Sequence, residues 1–231
     1  MREPALLTFA TLGVALAVNL GSARADVITA IDNTANGSNA LSQSWKSISA
    51  RNWNFLSFTV GQSDATISSM RMALFSSISE SYDLTWELYA VDSSHNPSGV
   101  ALATDTQTQS LSAGSSNVAY YEYTTGGSLA SYTMMAGQTY GLLFKSNNAS
   151  ATLTWTRTAA NHQYETGSSG FAFGQVQRTT NAGGSYNGLS PESFALAWQM
   201  NVNTEPSSVV PGAGGMAAIA GFGLLGRRRR R

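Results

Sequence analysis

The stretch YDLTWELY, residues 82–89, shows the fold class of this chain most clearly. Every second position carries an apolar side chain, and these are Tyr82, Leu84, Trp86 and Leu88. The positions between them carry Asp83, Thr85 and Glu87. Because successive side chains of a β-strand point to opposite faces, this alternation predicts a strand with one buried and one solvated face.

Similar short segments recur throughout residues 26–203. The last of them, residues 193–202, alternates over Phe194, Leu196, Trp198, Met200 and Val202. Further strands are predicted at residues 27–31, 53–58, 67–75, 118–124, 138–145, 151–158 and 171–173, with turn-forming residues between them. No stretch here has a sustained helical period. We therefore expect an all-β domain, an antiparallel β-sandwich of jelly-roll type, with a closed barrel as the alternative and Trp86, Trp155 and Trp198 in the core.

The composition limits the classes of partner and chemistry. Charged residues make up 11% of the chain, well below the roughly 25% of ordinary soluble proteins. Of 13 basic and 13 acidic residues, seven basic ones and only one acidic one lie in residues 1–25 and 227–231, so the central region is net negative. This balance argues against a nucleic-acid partner, whose phosphates need a basic face. The lack of cysteine excludes disulfides, thiolate metal sites and cysteine nucleophiles.

Residues 1–25 are organised as a secretory signal peptide. Arg2 lies in the short amino-terminal region, and an apolar, helix-forming run covers residues 5–20. Ala23 and Ala25 then form the small-x-small pattern that signal peptidase cuts, which places cleavage before Asp26. We expect this signal to direct export, with an uncleaved N-terminal anchor as the alternative.

Residues 204–231 form a second region with its own composition. No side chain between residues 209 and 226 is charged, and five arginines follow, Arg227, Arg228, Arg229, Arg230 and Arg231. An apolar run of this length is near the lower limit for a transmembrane helix, and the arginines would keep its end on the cytoplasmic side. Because six of its 18 residues are glycine and four are alanine, we expect a weak span that suits a temporary stop.

This tail resembles the PEP-CTERM sorting signal of Gram-negative bacteria, which combines a Pro-Glu-Pro-type motif, a short hydrophobic helix and an arginine cluster. Glu205 and Pro206, within TEPSS, match part of the motif, and Val210 and Pro211 offer a second partial match. The resemblance implies processing by an exosortase-type enzyme, transient membrane anchoring, and a destination at the cell envelope, the cell surface or outside the cell. The glycines at 214–215 are also similar to the GlyGly-CTERM variant, which a rhomboid-type protease handles.

Residues 55–202 resemble the choice-of-anchor family of bacterial surface domains, nearest to its R type. The similarity rests on FTVG at 58–61, WELY at 86–89, NPSG at 96–99, ALAT at 101–104 and MAGQTYGL at 135–142. These are strand and turn patterns. The resemblance therefore implies a surface β-domain and brings no catalytic residue with it.

Motifs for cofactors and metals are weak. GFGLLG at 221–226 fits G-x-G-x-x-G but ends an apolar segment instead of opening a helix after a strand, so it predicts no dinucleotide site. DNTANG at 32–37 begins like a calcium loop, but its twelfth position is Gln43 instead of a carboxylate, which favours a polar turn. His95 and His162 lie in separate loops without a metal-binding pattern. We predict no catalytic, cofactor-binding or metal-binding residue.

Aromatic side chains are the remaining candidates for a binding surface. Trp45, Trp53, Tyr120, Tyr121 and Tyr123 are the least clearly assigned to the core. Trp45 and Trp53 in particular could stack on a glycan, whereas burial at the edge of the sandwich is the ordinary fate of such residues.

Taken with the two terminal signals, these features predict an exported, non-enzymatic structural or interaction protein of the cell surface or extracellular matrix. A carbohydrate-binding module for exopolysaccharide is the first alternative. A secreted glycan hydrolase is the second.

Overall fold

The computed structural model describes residues 25–34, 41–113, 119–149, 153–158, 165–166, 170–189 and 196–204 of the chain. Within these ranges there are thirteen strands and no α-helix. The strands are β1 (Asp26–Asp32), β2 (Leu41–Ile48), β3 (Trp53–Thr59), β4 (Ala65–Ser76), β5 (Glu80–Val91), β6 (Pro97–Leu111), β7 (Ala119–Thr124), β8 (Thr139–Ser146), β9 (Leu153–Thr158), β10 (Glu165–Thr166), β11 (Ala172–Thr179), β12 (Asn187–Leu189) and β13 (Trp198–Thr204). A 3-10 turn at Leu129–Ser131 precedes β8. The prediction of an all-β domain is confirmed.

The strands form two sheets whose ladders are antiparallel. The seven-stranded sheet has the order β10-β1-β13-β4-β9-β2, and β7 also pairs with β4. The six-stranded sheet has the order β12-β11-β3-β8-β5-β6. Trp86 of β5 and Trp155 of β9 belong to different sheets, and their rings meet edge to face with centroids 6.1 Å apart. The two sheets therefore share one core, as in a β-sandwich.

The core contains the apolar side of residues 82–89. Tyr82, Leu84, Trp86 and Leu88 are at most 1% exposed, and Trp155 and Trp198 are fully buried. The alternation also holds in β13, where Trp198, Met200 and Val202 are buried. These predictions are confirmed, except for Phe194, which lies outside the described residues.

The sequence pattern does not predict β2, which has eight residues, or β6, which has 15. The segment NPSG at 96–99 suggested a turn, yet β6 begins at Pro97 and runs for 15 residues. The predicted strands leave residues 32–52 without a strand, yet β2 begins at Leu41. In β6 the cause is clear, because most of its threonine, glutamine and serine side chains are wholly or partly exposed, so that no apolar alternation marks the strand.

The first and the last described strands, β1 and β13, are paired in the seven-stranded sheet. Asp26, the first residue of β1, pairs with Thr204, the last residue of β13, and the Thr204 hydroxyl donates to the Asp26 carbonyl at 3.4 Å. The predicted signal peptide up to residue 24 and the predicted tail from residue 205 lie outside the described residues. In the part of the chain that is described, no helix is long and apolar enough to cross a membrane.

Candidate functional site

Of the two tryptophans proposed for glycan stacking, only Trp53 has a described side chain. Trp45 lies in β2 opposite Thr156 of β9, and its side chain is outside the described part. Trp53 is half-buried, and its indole N–H donates to the Ala50 carbonyl at 3.1 Å. The Lys145 ammonium lies 4.8 Å from the ring centroid, and a methyl group added at Gly183 would be 2.7 Å from a ring carbon. These neighbours favour a packing role for Trp53.

The three tyrosines of β7 fall into different environments. Tyr123 is 2% exposed and packs edge to face on Trp86, with centroids 6.4 Å apart. Tyr121 is half-buried against the core. The ring of Tyr120 has the Arg71 guanidinium 4.4 Å from its centroid. At least Tyr123 is thus a core residue, and the three do not form one exposed aromatic platform.

A second packed layer lies on the outer face of the six-stranded sheet. We call it the outer-face cluster, and it consists of Trp53, Phe55, Glu87, Tyr89, Lys145 and Tyr186. Phe55 is fully buried although it does not belong to the core between the sheets, whereas its neighbour Leu56 does. Its ring centroid is 6.4 Å from that of Tyr89 and 6.0 Å from that of Tyr186. Burial on this face therefore comes from side chains of β3 and β5 and the segment before β12.

Glu87 is the polar centre of the outer-face cluster. Its carboxylate accepts a hydrogen bond from the Lys145 ammonium at 2.7 Å and one from the Tyr89 hydroxyl at 2.9 Å. The side chains of Lys145 and Glu87 are only 26% and 15% exposed. This pair is better shielded than an ordinary surface ion pair, and the Lys145 charge also faces the Trp53 ring.

The tyrosines beside Glu87 hold their protons more strongly than a free tyrosine. Burial, followed by the hydrogen bond to Glu87, raises the pKa of Tyr89. Burial, followed by the negative charge of Glu87, raises the pKa of Tyr186 to about 12. Both phenols are therefore neutral at physiological pH, and neither is an activated nucleophile.

A small polar pocket of about 380 Å³ lies at one end of the same sheet, between the β5–β6 turn and the loop before β8. It is lined by Val91, Asp92, Ser93, His95, Gly137, Gln138 and Thr139. The Asp92 carboxylate accepts hydrogen bonds from the backbone N–H groups of Asn96 at 2.8 Å and Ser94 at 2.9 Å. The hydrogen bond from Asn96 in particular lowers the pKa of Asp92. The Asp92 carboxylate therefore stabilises the turn between β5 and β6 through these hydrogen bonds.

His95 and Ser57 form the arrangement in the described chain that most resembles a catalytic pair. His95 Nδ1 lies 3.1 Å from Ser57 Oγ, and His95 has a left-handed backbone with φ of 61°. Ser57, however, is fully buried in β3, and its hydroxyl oxygen already accepts the backbone N–H of Gln175 at 2.8 Å. A nucleophile must reach its substrate, so this pair anchors the turn to the sheet.

The other residues considered as metal ligands do not come together in a metal site within the described chain. Asp32 accepts the backbone N–H of Thr34 at 2.6 Å and its hydroxyl at 2.7 Å, which is the geometry of a polar turn. Residues 35–40 and His162 lie outside the described part. Among the residues that are described, no three His, Asp or Glu side chains converge as metal ligands.

Asp105 is a buried carboxylate that the sequence did not single out. It is 8% exposed and accepts the Gly126 N–H and the Gln107 side-chain amide, both at 2.8 Å. Its local sequence, ATDTQ, looks like any polar strand. The contact ties β6 to the segment that follows β7, which no local pattern could show.

No protein-family model matches the chain, and no curated protein is significantly similar to it. The described side chains form a hydrogen-bonded scaffold, and a polar pocket lies at one end of the six-stranded sheet.

The first prediction concerns the close approach of Phe55 to Gly141. A methyl group at position 141 would overlap the Phe55 ring, whereas one at Gly188 would meet nothing within 4 Å. We expect Gly141→Ala to lower the free energy of unfolding by about 1–3 kcal/mol through overpacking. The control Gly188→Ala should change it by less than about 0.5 kcal/mol. Equal urea midpoints for the two variants would show that the outer-face cluster is not packed as described.

A second prediction follows from Tyr186. Because its folded pKa of about 12 exceeds the ordinary 10.0, its contribution to stability is complete below pH 10.0 and is lost as the pH rises through about 12. Tyr186→Phe keeps the ring beside Phe55 and removes the ionisable group. Plots of unfolding free energy against pH should therefore fall less steeply above pH 10.0 in this variant than in the wild type. An unchanged slope would contradict the assigned burial of Tyr186.

Proposed function

We propose that this chain is an exported, non-catalytic protein that its tail holds in the membrane until a processing enzyme releases it to the cell surface or extracellular matrix. The observation that carries the proposal is the run of 18 uncharged residues at 209–226 followed by five arginines. Such a run can enter a bilayer, and the arginines would keep the C-terminus from crossing the membrane. The partial Pro-Glu-Pro motif at 204–206 supports an exosortase-type enzyme as the processing partner.

The position of the two domain ends supports this tethering. Asp26 and Thr204 are paired neighbours, so the predicted signal peptide and the predicted tail leave the domain at the same corner. Adjacent ends allow the domain to fold beside the bilayer while the chain is held in one membrane at both ends. Once the signal peptide is removed, the domain remains attached at this corner alone.

The described surface supports a structural or interaction role for the domain. The exposed face of β5 and β6 is rich in hydroxyl groups. The Thr85 and Thr106 hydroxyls are hydrogen-bonded at 2.9 Å, and those of Ser81 and Ser110 at 2.8 Å. Such a surface is polar but weakly charged. We infer a jelly-roll-like sandwich of the choice-of-anchor kind, in which edges and loops make the contacts.

The test is mass spectrometry of the mature protein from its native cell envelope. We expect an N-terminus at Asp26 and a C-terminus upstream of Arg227. Pro206→Ala and Pro211→Ala, made separately, should identify the partial motif that is read, because only the recognised one should cause the unprocessed chain to accumulate. Mature protein that still ends in Arg231 would contradict processing.

A further inference from the structure

The longest strand of the described domain lies at the edge of a sheet. β6 has 15 residues, and β5 is its only partner in the sheet order. The opposite edge of the same sheet is β12, with three residues. Proteins normally keep exposed edge strands short, or protect them with lysine, proline or bulges, because a free edge can pair with another strand. β6 is long and, after Pro97, contains neither proline nor a basic residue.

The first part of β6 is nevertheless protected. The pairing with β5 shifts register between Leu88 and Ala90, and Gly99 has a φ of 74°. Further along, the Thr104 backbone N–H donates to the Ser128 hydroxyl at 2.9 Å, and the Thr104 carbonyl accepts from that hydroxyl at 3.2 Å. A bulge and a side chain thus occupy the edge up to Thr104.

The second part of β6 has no such protection in the described chain. Backbone groups alternate in direction along a strand, so those of Thr106, Thr108 and Ser110 point to the same open side as those of Thr104. No described strand pairs with them on that side. The only charged residue of β6 is Asp105, which is buried and hydrogen-bonded to Gly126 and Gln107. In the described chain, Thr106, Thr108 and Ser110 therefore present uncharged backbone groups on this side that no described strand pairs with.

We propose that residues 106–110 pair antiparallel with the same residues of a second copy of this chain. The pairing would join two six-stranded sheets into one continuous sheet across a two-fold axis. With Thr108 on the axis, Thr106 of each copy lies opposite Ser110 of the other. The interaction would be a β-strand addition, in which backbone hydrogen bonds supply the affinity.

A second copy fits this edge because two-fold pairing requires the segment to complement itself. Residues 106–110 are TQTQS, in which every side chain is neutral and both donates and accepts hydrogen bonds. Similar hydroxyl pairs already join β5 to β6, between Thr85 and Thr106 and between Ser81 and Ser110. No like charges would face each other across the axis.

The proposed pairing is independent of the sorting tail. The edge belongs to the six-stranded sheet, whereas β1 and β13, which carry the domain ends, belong to the seven-stranded sheet. Membrane attachment and pairing would therefore use different sheets. Failure of tail processing would leave this inference intact, and a monomeric protein would leave the sorting proposal intact.

The test compares two substitutions at Thr108 in the full chain, purified in mild detergent. Thr108→Pro removes the backbone N–H on the open side, where an edge strand tolerates proline. Thr108→Val is the matched control, because it removes the same hydroxyl hydrogen bond to Asp83 but keeps the N–H. In analytical ultracentrifugation the wild type and Thr108→Val should dimerise, and Thr108→Pro should raise the dissociation constant roughly 10- to 100-fold.

Hydrogen exchange locates the contact even if Thr108→Pro does not fold. In the wild type, the amides of Thr106, Thr108 and Ser110 should exchange more slowly as the protein concentration rises, whereas the amide of Trp53, in β3 between β11 and β8, should be unaffected. A wild-type chain that stays monomeric at about 0.1 mM would overturn the proposal. So would a dimer in which exchange at 106–110 does not depend on concentration, or one that Thr108→Pro and Thr108→Val weaken equally.

Discussion

The contact between Trp86 and Trp155 is the interaction on which the two-sheet arrangement depends. The two indole rings belong to opposite sheets, and Phe144 packs on both, with centroids 4.3 Å from Trp86 and 5.5 Å from Trp155. Edge-to-face aromatic pairs contribute about 0.5–1.5 kcal/mol beyond the burial of their area. The Trp155 indole N–H also donates to the Ala197 carbonyl at 3.1 Å, which connects β9 to the segment just before β13. The buried faces of β5 and β13 are organised around this cluster.

The six-stranded sheet is unusual in burying aromatic side chains on both faces. Trp86 and Phe144 lie in the core, while Phe55 is buried on the outer face beneath Tyr89 and Tyr186. The centre of this sheet is therefore packed from two sides. Its polar pocket lies beside His95, and the side of β6 away from β5 has no described strand partner over residues 106–110. A sheet of this kind can present an edge to a partner without rearranging its centre.

The sequence predicted those parts of the fold in which one strand face is apolar. The alternation of residues 82–89 and the burial of Trp86, Trp155 and Trp198 followed from the period of a β-strand alone. β6 was missed because its residues 104–110 are polar on both faces, and its place in the sheet depends on pairing with β5. The outer-face cluster was missed because Phe55, Glu87 and Tyr186 are distant in sequence and meet only through strand register. Local patterns contain no such information.

The proposed export concerns the two ends of the described strands, where Asp26 and Thr204 are paired neighbours. The chain has no cysteine, so single introduced thiols can report its orientation without background labelling. Ser98→Cys, on the exposed start of β6, and Arg229→Cys should be expressed in a host that lacks the processing enzyme. In intact spheroplasts a membrane-impermeant maleimide should label Ser98→Cys, and it should label Arg229→Cys only after the membrane is permeabilised. Equal labelling of both positions before permeabilisation would contradict the proposed tethering.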